Sequence, residues 1–181
     1  SGDVVVDGKI EASATESGSA DVIVLARNNA IINAEVTATN DVKLDAVTAE
    51  VNAKVTAGND VKRDATTAEV NAEVEADNDV SINVSDNALV NADILAKHNV
   101  DIISDKDVTI NASATVTAGN EAKLDIVSDA NVGGTIDANS VVVQVKDGNV
   151  NLGAESELLA DETASIENIN GDIFGADGSL V

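Results

Sequence analysis

Few side chains in this sequence are equipped for chemistry, and their spacing argues against most of it. The single histidine, His98, has no second His and no Cys to join it. Zinc coordination and nucleophile–base pairing both need such partners. His98 fills a slot held by Asn78 in the preceding repeat and is followed by Asn99, so it reads as a corner residue. Carboxylates are abundant, with 33 Asp and Glu against 10 Lys and Arg. Asp101, Asp105 and Asp107 cluster, Asp41, Asp60 and Asp79 recur at one repeat position, and Asp161-Glu162 adds a pair near the end. A calcium site needs roughly six to eight oxygens converging on one point. The GGxGxD pattern that builds such sites in β-rolls is absent, because Gly133-Gly134 runs on into Thr135-Ile136-Asp137. The acids therefore read as a solvated face that limits edge-to-edge association, with diffuse binding of divalent cations such as calcium relieving stacked like charges. No catalytic, cofactor-binding or metal-ligating residue is assigned. Arg63 is the one oddity: its slot holds Leu44 and Ile82 in the flanking repeats and should point inward. Either the strand bulges there or the arginine reaches past small neighbours to an acid, and an active-site reading rests on this residue alone.

The elements that must position these groups follow from composition. Hydrophobic residues make up 44% of the chain, yet it has one aromatic residue, Phe174, and no Pro, Cys, Met, Trp or Tyr. Ordinary globular cores rely on large side chains to bury enough apolar area. Here the supply is Ala, Val and Ile, which suits a thin interior between closely spaced strands. Disulfides are excluded, so stability must come from stacking. The formal net charge of −23 disfavours nucleic acid and anionic lipid and keeps a repetitive β surface soluble. No apolar run approaches the roughly 18 residues of a membrane-spanning helix, so no membrane insertion is expected. Ser1 to Lys9 lack a signal-peptide pattern, and an export signal is expected outside this segment.

A repeat is visible in TNDVKLDAVTAEVNAKV from Thr39, GNDVKRDATTAEVNAEV from Gly58 and DNDVSINVSDNALVNADI from Asp77. A polar marker before each V-x-apolar strand falls at Asp3, Asp21, Asp41, Asp60, Asp79, Asn99, Glu121, Ser140 and Glu162, giving steps of 18 to 22 residues. Within one repeat Val42, Leu44, Ala46, Ala49, Val51, Ala53, Val55 and Ala57 alternate with polar residues, the period of strands with one buried face. The alternation slips near Val47-Thr48, Asn52-Ala53 and Gly58-Asn59, which places three corners and three short faces per rung. The expected fold is all-β: one parallel β-helix, or β-solenoid, of about eight or nine rungs and about 40 Å. It spans residues 1–181 as a single segment, with the best-defined repeats over 20–124 and irregular terminal rungs over 1–19 and 125–181. Asn40, Asn59, Asn78 and Asn120 recur at one corner and Asn33, Asn52, Asn71, Asn91 and Asn111 at another. Both sets are expected to form ladders in which each amide bonds the equivalent Asn one rung away. Turn chemistry explains their placement better than sugar contacts do. Outward residues Glu35, Lys54, Glu73 and Asp93 alternate in sign, placing Lys54 between two acids.

The motif around Ala57-Gly58-Asn59-Asp60-Val61-Lys62, repeated at Ala118-Gly119-Asn120-Glu121-Ala122-Lys123-Leu124-Asp125, resembles the haemagglutinin repeats of filamentous haemagglutinin and similar two-partner-secreted exoproteins. That resemblance implies a right-handed parallel β-helix, export across a bacterial outer membrane and display or release as a fibre. The family's secretion domain carries Asn-Pro motifs, and this chain has no proline. The expectation is therefore a shaft segment of a longer, extracellular or cell-surface protein, with Ser1-Gly2 a cloning remnant.

The function expected is a non-catalytic spacer in a large adhesin. Its partners are its own neighbouring repeats, copies of itself stacked end to end, and a host or neighbouring cell reached through domains outside the segment. Polysaccharide-binding or polysaccharide-cleaving β-helix proteins are the rival, but the near-constant rung length leaves no long loop to wall a cleft, and aromatic sugar platforms are missing. Ice binding needs regular Thr planes. The slot between Thr37 and Thr117 holds Thr56, Glu75 and Leu95 instead.

Overall fold

The computed structural model describes residues 2–14 and 18–179, so Ser1 lies outside the described residues. Twenty strands and no helix are present among them, and every strand pairing is parallel. The strands wind into a three-faced β-solenoid of about eight turns. The first face stacks Val22–Leu25, the first half of Val42–Val51 and of Val61–Val70, Val80–Val84, Asn99–Ser104, and the later parts of Thr115–Ile126, Thr135–Val145 and Glu157–Asn168. The second runs from Val4–Val6 through Asn29–Ile32, Ala88–Val90, Val108–Ile110, Ala130–Val132 and Val150–Leu152 to Ile173–Gly175. The third carries Ile10–Ala12, Val36–Ala38, Val55–Ala57, Val74–Ala76 and Ile94–Ala96.

Corners fall where the period-two pattern slips. The pairing of Val42–Val51 with Val61–Val70 steps from Ala46↔Ala65 to Thr48↔Thr67, leaving Val47 on the bend and half-exposed. Asn52-Ala53-Lys54 and Gly58-Asn59-Asp60 make the other two turns. Gly58 is required by close approach: a Cβ there would lie 2.4 Å from the Thr39 carbonyl oxygen of the rung before.

Inside, equivalent residues sit over one another. One column reads Val36, Val55, Val74, Ile94, Val116, Ile136, Leu158, and its neighbour Ala38, Ala57, Ala76, Ala96, Ala118, Ala138, Ala160. The interior is one continuous apolar core of such columns. β-Branched residues stack with little rotamer freedom to lose, and the alanines let two faces approach closely at a corner.

The register corrects two markers. Asp3 precedes Val4, which pairs with Ala30, so Asp3 belongs to the second face and aligns with Asn29 rather than Asp21. The first step is therefore 26 residues, outside the expected range, with the extra length between Ala12 and Val22. At the other end Ser140 pairs with Thr163, not Glu162, a step of 23 residues absorbed at the corner after Ala160. Phe174 pairs with Asn151 and faces outward, 53% exposed.

Candidate functional site

Three polar ladders climb the rod. At the corner after the second face, Asn52 donates to the Asn33 Oδ1 at 3.0 Å, Asn71 to Asn52 at 2.9 Å and Asn91 to Asn71 at 2.7 Å, and Asn111 donates to Asn91. Below, Asn33 donates to Asp7. The corner before the first face is built differently from the expected Asn-on-Asn stack. Asn40, Asn59 and Asn78 donate to Asp21, Asp41 and Asp60 of the preceding rung at 2.6, 2.7 and 2.8 Å. The same carboxylates accept the backbone N–H of Asp41, Asp60 and Asp79. Asn120 follows suit on Asn99 at 2.8 Å, and His98 meets Asp79 at 3.1 Å. For Asn40, Asn59 and Asn78 the recurring Asp one rung below is therefore the other half of the corner bond.

A third ladder was missed by sequence reasoning. Asn87, Asp107, Asp129 and Asn149 each accept the backbone N–H of the residue above, ending on Asp172. The signal was present: each precedes an apolar-x-apolar triplet on the second face. Asp107 thus belongs to a ladder, while Asp101 stands on the first face in register with Lys123. Asp101, Asp105 and Asp107 do not converge, and among the described residues no three His, Asp or Glu side chains gather to hold a metal.

Electrostatics follow position. Burial would push the Asp60 carboxyl up, but the Lys62 ammonium, the Asn78 amide and the Asp79 N–H outweigh it and hold it below the usual carboxylate range. Asn40 and the Asp41 N–H do the same for Asp21. Asp101 goes the other way, raised by partial burial and by Glu121 and Asp79. Lys54 bonds Glu73 at 2.6 Å and Glu75 at 2.8 Å, both on the next rung. Glu35 is taken by Lys9, so Lys54 does not bridge the two acids that its column suggested.

Arg63 is held in unbroken register between Leu44 and Ile82, so no bulge expels it. It is 2% exposed, and its Nη1 reaches the Glu69 carbonyl oxygen only at 3.5 Å, while Nε has no partner. Neither expected escape is taken: the guanidinium stays in the core without a carboxylate. Burial pushes its pKa down to about 10. A group this enclosed touches nothing a substrate could reach.

No family model, curated protein or solved structure matches the chain. The site must therefore be read from its own geometry. An open groove, of about 420 Å³, lies where the Asn ladder stops, beside Asn111, Gly133 and Gly153. Smaller hollows lie by Gln144 and Lys146 and by Leu95 and Thr117. The outward column of the third face reads Thr37, Thr56, Glu75, Leu95, Thr117, Asp137, Leu159, with no Thr plane.

Proposed function

We propose that the chain is an architectural spacer: a non-catalytic, acidic shaft segment of a large extracellular bacterial adhesin or fibre, of the haemagglutinin-repeat type that its motifs resemble. The observation that supports this reading is continuity. One core and three hydrogen-bonded ladders run through successive rungs. Each rung is stabilised by its neighbours, so the rod transmits load along its axis and can be lengthened one period at a time. Incubation with uronate-rich polysaccharide tests the catalytic rival. No unsaturated or reducing ends are expected, and their release above a polysaccharide-only blank would overturn the spacer reading.

A second reading, end-to-end stacking of copies, has a specific observation in its favour. Carrying the register one rung past Ile173–Gly175 sets a second copy's Val4 on Ile173 and its Val5 on Phe174. The same shift sets Ile10 on Leu158 and Val24 on Ile166. Apolar meets apolar at all four, and Val5, Ile173 and Phe174 are each half-exposed. Unpaired edge strands offer the hydrogen bonds. Light scattering across protein concentration should show a rising mass that Ile173→Lys abolishes, and a strict monomer at high concentration would remove this reading.

A further inference from the structure

The Asn ladder ends abruptly, and its interruption makes the groove. Above Asn111 the ladder position passes to Gly133 and then Gly153, whose N–H groups bond the Ile110 and Val132 carbonyls. Neither glycine has a left-handed φ, so backbone conformation does not demand them. A Cβ on Gly133 would stand 3.2 Å from the Ala112 nitrogen, and one on Gly153 would stand 3.2 Å from the Gly133 Cα. What the glycines provide is depth. On the adjoining second face the outward column reads Ile31, Glu50, Glu69, Leu89, Thr109, Asn131, Asn151, Phe174. Charge in that column stops at Glu69, and the ten residues lining the groove include no acid or base.

From this neutral patch on a chain of net charge −23, we infer a binding groove for a neutral oligosaccharide. Asn151 donates to the Asn131 Oδ1 at 2.9 Å, which fixes both amides side by side. The side-chain Nδ2 of Asn131 and the side-chain Oδ1 atoms of Asn151 and Asn111 carry no hydrogen bond to another described residue and are free for hydroxyls. Phe174 is not one of the ten lining residues, but it stands one rung above Asn151 in the same outward column and is 53% exposed, which puts an aromatic ring, of the kind that packs on sugars, next to the groove. Paired donors and acceptors, an apolar floor and one aromatic ring match a polyhydroxylated ligand with C–H faces. A uronate or sulfated glycan would instead meet the acidic field of the rod. The spacer reading does not depend on this groove, nor the groove on it.

Titration by NMR with laminarihexaose, cellohexaose and mannohexaose as neutral probes, and hexagalacturonate as the anionic one, tests the inference. At least one neutral probe should shift the side-chain amide signals of Asn131 and Asn151, and the anionic probe should not. Phe174→Ala and the double change Asn131→Ala with Asn151→Ala should each weaken that binding by about tenfold or more, the loss of one good contact. Gly133→Asn, which refills the groove, should abolish it. Phe174 lies outside the core, so its variant keeps the test intact if Gly133→Asn misfolds. Absence of neutral-probe shifts at millimolar concentration, binding indifferent to Phe174→Ala, or preference for hexagalacturonate would each overturn the assignment.

Discussion

Arg63 shows how a single side chain can oppose the fold around it. A cation in an apolar column with one long bond to a carbonyl carries its desolvation cost nearly uncompensated. Arg63→Leu restores the Leu44–Ile82 column, and unfolding in urea should then require about 2 kcal/mol more. The pH dependence gives an independent check. The folded pKa, about 10, lies well below the ordinary guanidinium value, so the penalty is present at neutral pH and fades as pH rises through 10. The gap between wild type and Arg63→Leu should therefore narrow between pH 8 and 11, and a constant gap would show that the charge is not the cause. Asp101 behaves in the mirror sense. Its carboxyl is raised above 3.8, so ionisation costs stability as pH climbs past that value. Asp101→Asn should raise Tm at pH 7, with the gain vanishing as pH falls to 3.8. Asp21 and Asp60, held low, stabilise above 3.8 and lose that effect as pH falls below it. The inward slot of Arg63 was legible from alternation, because period two places position 63 with 44 and 82 whatever occupies it. The fate of its charge was not, because that depends on whether backbone or carboxylate lies within reach of the guanidinium across the rod.

At the level of the rung, the corners carry register. Asn71 both donates to Asn52 and accepts from Asn91, whereas Asn111 donates to Asn91 and has no amide above it. Asn71→Ala should therefore cost about 2 kcal/mol, two bonds at roughly 1 each, and Asn111→Ala about half that. Equal losses in chemical denaturation would mean that the amides act only within their own turns. The recurrence of Asn was readable in the sequence, and so were the corners, since a slip in alternation reverses which residues face inward. The acceptor was not. Whether Asn59 bonds Asn40 or Asp41 turns on a rise of one strand spacing and a sideways shift of one residue, which no one-dimensional pattern records. The terminal markers failed for a related reason: Asp3 and Glu162 satisfy the local polar-before-apolar rule, but only pairing shows which face follows.

The molecule as a whole behaves as a stack whose length is a count of periods. Deleting Gly58–Ala76 removes one complete turn, the 19-residue step that separates Val55 from Val74 and Asn52 from Asn71. Ala57 then runs into Asp77, Val42 sits beneath Val80, Asn52 beneath Asn91, and Leu44 beneath Ile82 with Arg63 gone. Every inward column closes on an apolar residue, Val51 on Val90, Val55 on Ile94 and Ala57 on Ala96 among them. The shortened chain should keep its β circular dichroism and a single cooperative transition. Its denaturant m-value should fall by about one eighth, because m follows the surface buried and about eight turns share it. Its midpoint should hold or rise, since the rung removed is the one carrying a buried charge. Deleting Gly58–Thr67 is the control: it removes half a turn, brings the second face over the first and points apolar side chains at solvent. That chain should not fold. If both deletions unfold the protein, stability depends on particular rungs, and stacking of equivalent positions is not what holds the rod together.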